Sequence, residues 1–334
     1  MAENFAKAGR IVTVFGGSGF VGRHVVRALA KAGWRVRVAT RRPDLAFFLQ
    51  PAGKVGQIHA VQANIRYPDS VAAAVRDATA VVNLVGILSP SGAQSFEALQ
   101  HLGAASVAKA ASAAGAQFFV QMSAIGAGPD QASVYAKTKA AGESAVTQAF
   151  PRASILRPSV VFGPEDDFFN RFATMAQMLP FMPLIGGGRT KLQPVFVDDV
   201  AEAVLRCLDE SSCGKLYELG GPEIVTMRDI MSYVLHVIGR KRLLVALPFP
   251  LAKLVGLNCE IASKLSLGLM PPALMVTRDQ VELLRQDNVV SAAAIAEGRT
   301  LTGLGIAPCS YGAIVPTYLY RFRKTGQFAD TRAA

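Results

Sequence analysis

Tyr135 and Lys139 stand four residues apart in the run Ser133-Val134-Tyr135-Ala136-Lys137-Thr138-Lys139. On a helix that spacing puts a phenol and an ammonium on one face. A neighbouring ammonium lowers the pKa of a phenol, and a lysine so placed can also hold ribose hydroxyls. The pair is therefore a candidate proton-transfer couple, with Ser123 as its candidate third member. Tyr-x-x-x-Lys also arises by chance on helices, so its meaning depends on what precedes it.

What precedes it is a glycine loop. The apolar run Ile11-Val12-Thr13-Val14-Phe15 ends in Gly16-Gly17-Ser18-Gly19-Phe20-Val21-Gly22, and an amphipathic segment follows. Strand, G-x-x-G-x-x-G and helix in that order form a dinucleotide-binding signature. Gly16 allows the tight turn, Gly19 lets the backbone approach a pyrophosphate, and Gly22 is expected to let the helix pack on the sheet. The helix N-terminus then offers N–H groups and a positive dipole end to the phosphates.

The second strand ends in Thr40-Arg41-Arg42 rather than in an acidic residue. A carboxylate there would take the ribose 2′-hydroxyl of NAD, whereas arginines pair with a 2′-phosphate. Arg41 and Arg42 therefore favour NADPH, unless they are only solvated charges before Pro43. Asn64, with Ile65, follows the third strand within reach of an adenine edge. Leu84-Val85-Gly86 ends the fourth, where a glycine permits close passage of the cofactor. The cofactor-binding set read here is Gly16, Ser18, Gly19, Phe20, Val21, Gly22, Arg41, Arg42, Asn64, Ile65, Leu84, Val85, Gly86, Ser123, Tyr135, Lys139, Pro158 and Val161.

The elements that must position these residues alternate. Strands are predicted at 11–15, 35–40, 57–62, 79–85, 116–122 and 153–157, and helices at 19–32, 68–77, 95–114 and 133–149. This pattern predicts an α/β fold, a Rossmann-type doubly wound parallel sheet, with a smaller, mostly helical C-terminal lobe. The expected division is 9–165, re-entered by about 192–222, against 166–191 with 223–334. Asp198-Asp199 is expected to cap a helix at 199–209, Tyr217 to Leu219 to form a late strand, and Thr226 to cap a helix to Ile238. Beyond 240 a basic cluster, Arg240-Lys241-Arg242, leads into what reads as short apolar helices broken by proline.

Composition bounds the function. The 334 residues carry a net charge of +11, yet only 18% are charged and 51% are hydrophobic. Typical domains are about 25% charged. Low charge fits either a covered or membrane-touching surface or simple alanine richness. No basic helix with interleaved aromatics points to nucleic acid. The four cysteines form no C-x-x-C and the four histidines no ligand spacing, so no metal is expected. The stretch Leu243 to Leu257 is too short and too broken to span a bilayer. Residues 1–10 show no apolar signal segment.

The glycine loop with Tyr135-x-x-x-Lys139 resembles the short-chain dehydrogenase/reductase superfamily. Arg157-Pro158-Ser159-Val160-Val161-Phe162-Gly163-Pro164 and Val195-Phe196-Val197-Asp198-Asp199-Val200-Ala201 resemble its extended and atypical branches. A narrower resemblance rests on Phe162 to Ala173, Thr190 to Val200, Leu247-Pro248-Phe249-Pro250-Leu251, Thr277-Arg278-Asp279-Gln280-Val281 and Leu304-Gly305-Ile306 before Pro308. Together these are similar to the NADPH-binding accessory subunits of respiratory complex I, subunit nine of the alpha subcomplex, over nearly the whole chain.

That resemblance implies tightly held NADPH that is not turned over. It also implies other complex I subunits as partners, near the membrane surface and quinone site. The implied location is peripheral, on the matrix face of the mitochondrial inner membrane or the cytoplasmic face of a bacterial one. The chain departs from active relatives at Ser123-Ala124, where they usually carry Ser-Ser or Ser-Thr. No catalytic residue is therefore asserted, and Ser123, Tyr135 and Lys139 remain candidates should Ser123 itself take the polarising position. The alternative is a free-standing NADP-dependent reductase or epimerase using Tyr135 and Lys139. Leu251, Leu254, Val255, Leu257, Leu265, Leu267 and Leu269 look exposed, with Lys253 and Lys264 among them, which fits a lobe that docks or, equally, an ordinary small-lobe core.

Overall fold

The computed structural model describes residues 9–265, 275–324 and 326. Strands β1 (Ile11–Phe15), β2 (Arg35–Thr40), β3 (Ile58–Gln62), β4 (Ala80–Asn83), β5 (Phe118–Met122), β6 (Ser154–Pro158) and β7 (Leu216–Leu219) form one sheet. Their order is β7-β6-β5-β4-β1-β2-β3 and every pairing is parallel. The winding reverses between β1 and β4, and open α/β sheets bind ligands at the carboxyl ends of strands beside such a switch point.

Helices α1 (Phe20–Lys31), α2 (Pro68–Val75), α3 (Leu102–Ala113), α4 (Val134–Ala149) and α5 (Val197–Arg206) cover both faces. On one face Val26 of α1 closes over Val14 and Val38, with α5 packed beside α1. On the other, Val71, Val107 and Val146 of α2, α3 and α4 join Phe15, Val81, Phe119 and Ile155 in one buried core. Two-sided burial is why these strands read as continuous Val, Ile and Phe rather than as alternation.

The chain divides into two compact units. The first is Met1–Pro158, Val197–Leu219 and Val290–Ala307; the second is Ser159–Phe196, Gly220–Val289 and Pro308–Ala334. In the second, helices Phe169–Met178 and Met227–Val237 pack Phe169, Ala173, Ile230 and Val234 against Met182, Leu184, Val315 and Leu319. Buried Asp166 ties this unit together. It accepts hydrogen bonds from the backbone N–H groups of Gly163, Phe168 and Asn170 and, at 2.7 Å, from the Tyr318 hydroxyl.

Several expectations hold and several need correction. Thr226 caps its helix in a reciprocal capping box with Asp229. By contrast α5 begins at Val197, so Asp198 and Asp199 occupy its first turn instead of capping it. There Asp198 accepts from buried His24 Nδ1 of α1 at 2.5 Å. The predicted helix 95–114 opens with a π-helical turn, Glu97–His101, before α3 begins.

Residues 243–247 are not helical. They form a strand paired in parallel with Phe181–Ile185. Pro248 and Pro250 then start a single helix, Phe249–Leu265, rather than breaking up a series. Proline in a first turn costs no hydrogen bond, because those N–H groups have no partner within the helix. Leu251, Leu254 and Val255 are exposed, while Leu257 is half-buried. The side chains of Lys264 and Leu265, and all of Leu267 and Leu269, lie outside the described residues. No helix among the described residues is long and apolar enough to cross a membrane.

The crossing of α4 over the turn before α3 has no spare room. A Cβ at Gly142 would sit 2.1 Å from the Gln100 carbonyl oxygen. Gly142→Ala is expected to destabilise the fold by about 1–3 kcal/mol, read as a lower midpoint in chemical denaturation.

Candidate functional site

The loop between β1 and α1 is built around glycines that no other residue could replace without backbone movement. Gly16 has φ +78°, in the left-handed region, and a Cβ there would press on the Leu84 carbonyl carbon and the Val85 nitrogen at 3.2 and 3.3 Å. A Cβ at Gly22 would lie 2.2 Å from the Gly16 carbonyl oxygen and 2.6 Å from the Gly17 Cα. Gly22 therefore serves the loop, not the sheet. It lets the first turn of α1 close down on the chain that leads into it. Gly19, extended at φ −75° and ψ −177°, is the N-cap and donates its N–H to the Gly16 carbonyl at 3.1 Å.

No side chain caps α1 and no carboxylate lies in its first turn. The helix end is thus presented to an anion without an internal competitor. Gly16 against Leu84 and Val85 places this loop beside the end of β4, where the sheet reverses. A cradle that any Cβ would fill, at a bare helix N-terminus, fits the diphosphate of a dinucleotide.

The chemical end of the site collects around Lys139. Its Nζ donates to the Met122 carbonyl at 3.2 Å, at the tip of β5, and lies 3.3 Å from where a Cβ on Gly86 would be. It also lies 5.8 Å from the centre of the Tyr135 ring, whose edge-to-face partner is Phe96 at 5.8 Å. Ser123 follows Met122, is 4% exposed, and its Oγ has no hydrogen-bond partner among the described residues. A buried hydroxyl without a partner costs free energy, so this one is a group kept for a ligand or a water. Gly16, Leu84, Val85, Gly86, Ser123, Tyr135 and Lys139 thus surround the ends of β1, β4 and β5.

Other site residues are placed differently. Arg41 and Arg42 are both exposed at the end of β2, but Arg42 Nη2 is engaged by Asp44 Oδ2 at 2.9 Å. Among the described residues Arg41 is the uncommitted cation of the two. Asn64 spends its Oδ1 on the Arg66 N–H at 3.2 Å, shaping its own turn, and Ile65 points into the core. Pro158 ends β6, where its carbonyl accepts from the Ile125 N–H at 3.0 Å. Val161 belongs to the second unit, on the short strand Val161–Phe162.

Two positions that brace the site escaped the sequence reading. Glu143, one turn beyond Lys139 on α4, takes a two-pronged contact from Arg157 at 2.8 and 2.6 Å, and Arg157 reaches Glu218 at 4.0 Å. The i+4 spacing from Lys139 to Glu143 was a visible signal. Gln100 has none: it accepts from Thr138 Oγ1 at 3.0 Å and donates to the Ile87 carbonyl at 2.8 Å, tying α4 to the segment after β4. Burial pushes the Lys139 ammonium down to about 8, with Glu143 opposing the shift.

Residues 12–220 match the NAD dependent epimerase/dehydratase family. The chain belongs to that family. Within the epimerase/dehydratase family it is 35% identical over 324 residues to the mitochondrial NADH dehydrogenase (ubiquinone) 1 alpha subcomplex subunit 9 of Arabidopsis thaliana, covering 96% of this chain and 79% of that one. It falls with the alpha subcomplex subunit 9 proteins, another of which, from Mus musculus, is 32% identical over 287 residues, covering 85% of this chain and 74% of that one. A ceramide reductase of Caulobacter vibrioides is 31% identical over 290 residues, covering 86% of this chain and 88% of its own. A dTDP-glucose 4,6-dehydratase of Streptomyces venezuelae, solved with NAD bound, shares the fold at TM-score 0.68 and 18% identity. That match covers 93% of this chain and 96% of the other. The cofactor of an epimerase/dehydratase family member is a nicotinamide dinucleotide, and the glycine cradle fits one.

Because the folded pKa of Lys139 lies below its unfolded value of 10.5, the unfolded chain holds more protons between about pH 8 and pH 10.5. Nucleotide-free stability therefore gains a contribution as pH rises through that window. Lys139→Met should be more stable than the parent at pH 7, by up to about 3 kcal/mol, with the gain shrinking to nothing by the top of the window. Denaturation midpoints at a series of pH values check this; a pH-independent difference would contradict it.

Proposed function

We propose that this protein is an accessory subunit of NADH:ubiquinone oxidoreductase, respiratory complex I, that holds NADPH as a structural element and supports assembly or stability rather than transferring hydride. The observation that carries this reading is the end-to-end similarity to alpha subcomplex subunit 9, which spans 96% of the chain and both of its units. Its partners are the other subunits of the complex. Its place is peripheral, on the matrix face of a mitochondrial inner membrane or the cytoplasmic face of a bacterial one, beside the membrane arm and the quinone region. The apolar helix 249–265 and its basic flank support a docking role for the second unit.

Each site residue has a binding task in this reading. The loop 16–22 and the start of α1 take the diphosphate, and the free Arg41 takes the 2′-phosphate that distinguishes NADPH from NADH. Asn64 and Ile65 border the adenine, Ile65 through its backbone. Lys139 and Tyr135 hold the nicotinamide ribose, with Gly86 leaving room for it, and Pro158 borders the nicotinamide end. When bound, NADPH offers a hydride. Ala124 lacks the second hydroxyl that would polarise a carbonyl accepting it, and losing one such donor costs about 10²–10³ in rate.

One observation favours a second reading. The unpartnered Ser123 Oγ lies beside Met122, whose carbonyl holds Lys139. If Ser123 polarises the carbonyl in place of residue 124, the chain is an NADP-dependent reductase; the similar Caulobacter vibrioides protein is named a ceramide reductase.

Purification of the native protein from solubilised membranes tests the two. The accessory reading expects co-migration with NADH:quinone oxidoreductase activity and about one NADPH released per chain. Tyr135→Phe should leave assembly and NADH:quinone activity near normal. A soluble, unassembled protein whose carbonyl-reducing activity disappears with Tyr135→Phe would establish the reductase instead.

A further inference from the structure

The segment after β2 carries an exposed apolar ridge that no site residue explains. Residues Pro43–Ala52 form tight 3-10 turns in which Ala46 and Leu49 are buried and anchor the segment. The side chains beside and between them face outward: Leu45 is 59% exposed, Phe47 54% and Phe48 50%, with Val55 fully exposed just beyond. Gln57 secures the end of the segment by donating to the Ala30 and Trp34 carbonyls at 2.7 and 3.0 Å. Three large apolar groups on an anchored backbone lose little further freedom when covered.

The surroundings of the ridge are basic. Arg41, Arg42 and Lys54 flank it in the chain, with Asp44 the sole carboxylate from 41 to 57. Helix α1 packs against the segment and contributes Arg23, Arg27 and Lys31 with no acidic residue. The Arg23 guanidinium sits 5.1 Å from the centre of the Phe48 ring.

We propose that the ridge Leu45–Phe47–Phe48 is a docking face for a protein partner whose surface offers an apolar recess rimmed by carboxylates. The proposal rests on the accessory-subunit reading, which supplies a multisubunit assembly as the partner. Aromatic and arginine side chains around a desolvated centre are the groups that dominate protein–protein binding. A second copy of this chain is disfavoured, since self-pairing would set one basic rim against another. An anionic bilayer is disfavoured because Asp44 sits within the ridge and the apolar set is a few fixed side chains rather than a long amphipathic face.

The ridge is also continuous with the nucleotide cradle. Arg23 donates through both its backbone N–H and its Nε to the Gly19 carbonyl of the glycine loop, at 3.0 and 3.4 Å. Arg41 and Arg42 lead directly into the ridge. The partner thus docks on the surface that the adenosine end of the cofactor organises, which gives a resident nucleotide a structural purpose: emptying the cradle loosens the interface.

The test is assembly of the full-length chain in its native membranes. Leu45→Ser with Phe47→Ser avoids the Arg23 contact, and it is expected to keep bound NADPH and the parent's thermal midpoint. Its fraction in the membrane complex should fall about tenfold or more. Lys54→Glu, on the rim, should weaken assembly as well, more strongly at low salt than at high salt.

If the parent assembles and both variants assemble equally well, the docking face is refuted and the accessory reading survives. If the parent itself never enters the complex, both fall. Two further outcomes also overturn the proposal. One is loss, in the double variant, of binding to phosphatidylcholine–phosphatidylglycerol vesicles with assembly intact. The other is loss of a concentration-dependent dimer in sedimentation with assembly intact.

Discussion

The structure turns on a contact that exists only because a side chain is missing. The first turn of α1 closes onto the Gly16 carbonyl so tightly that a single methyl on Gly22 would collide with it. That closure sets where α1 begins, and so where its uncapped N-terminus points. It also brings the loop against Leu84 and Val85, joining the end of β1 to the end of β4 at the reversal of the sheet. Helix α1 then carries Arg23 outward to the 3-10 segment and buried His24 toward Asp198 on α5. One steric allowance thereby determines the cradle, one face of the sheet and the position of the re-entering helix.

The opposite side of the site is governed by charge in low dielectric. Lys139 is buried, donates to a backbone carbonyl, and has Glu143 one turn away on the same helix. Glu143 is itself held by Arg157, which leans toward Glu218, and Glu218 accepts the Ser291 N–H at 2.7 Å. These groups link α4, β6, β7 and the returning segment 290–307 within the first unit. Buried ion pairs of this kind contribute little net stability but are costly to break singly. The network ties the helix that carries Lys139 to β6 and β7.

The low charge content has a structural counterpart. Phe47 and Phe48 in the first unit, and Phe181, Leu243, Leu251 and Leu254 in the second, are large apolar groups open to solvent. Single exposed apolar residues are ordinary on any protein, but clusters flanked by arginine and lysine are surfaces made to be covered. An excess of positive charge spread around such clusters also orients association with acidic partners.

Sequence alone determined the doubly wound sheet, the glycine loop, the Tyr135–Lys139 face and the Thr226 cap. The last three are local, depending on backbone sterics or one helical turn, and the sheet follows from a simple alternation of buried strands and helices along the chain. What only the tertiary structure decided depends on residues far apart in the chain. The pairing of 243–247 with 181–185 turned an apparent helix into a strand, because a proline-flanked apolar run suits either until a partner strand is present. Gln100, Arg157 and the His24–Asp198 pair acquired roles only when separate helices and strands met. The glycine spacing announced a cradle, whereas the reason Gly22 is glycine, the approach of a carbonyl six residues back, became visible only in three dimensions.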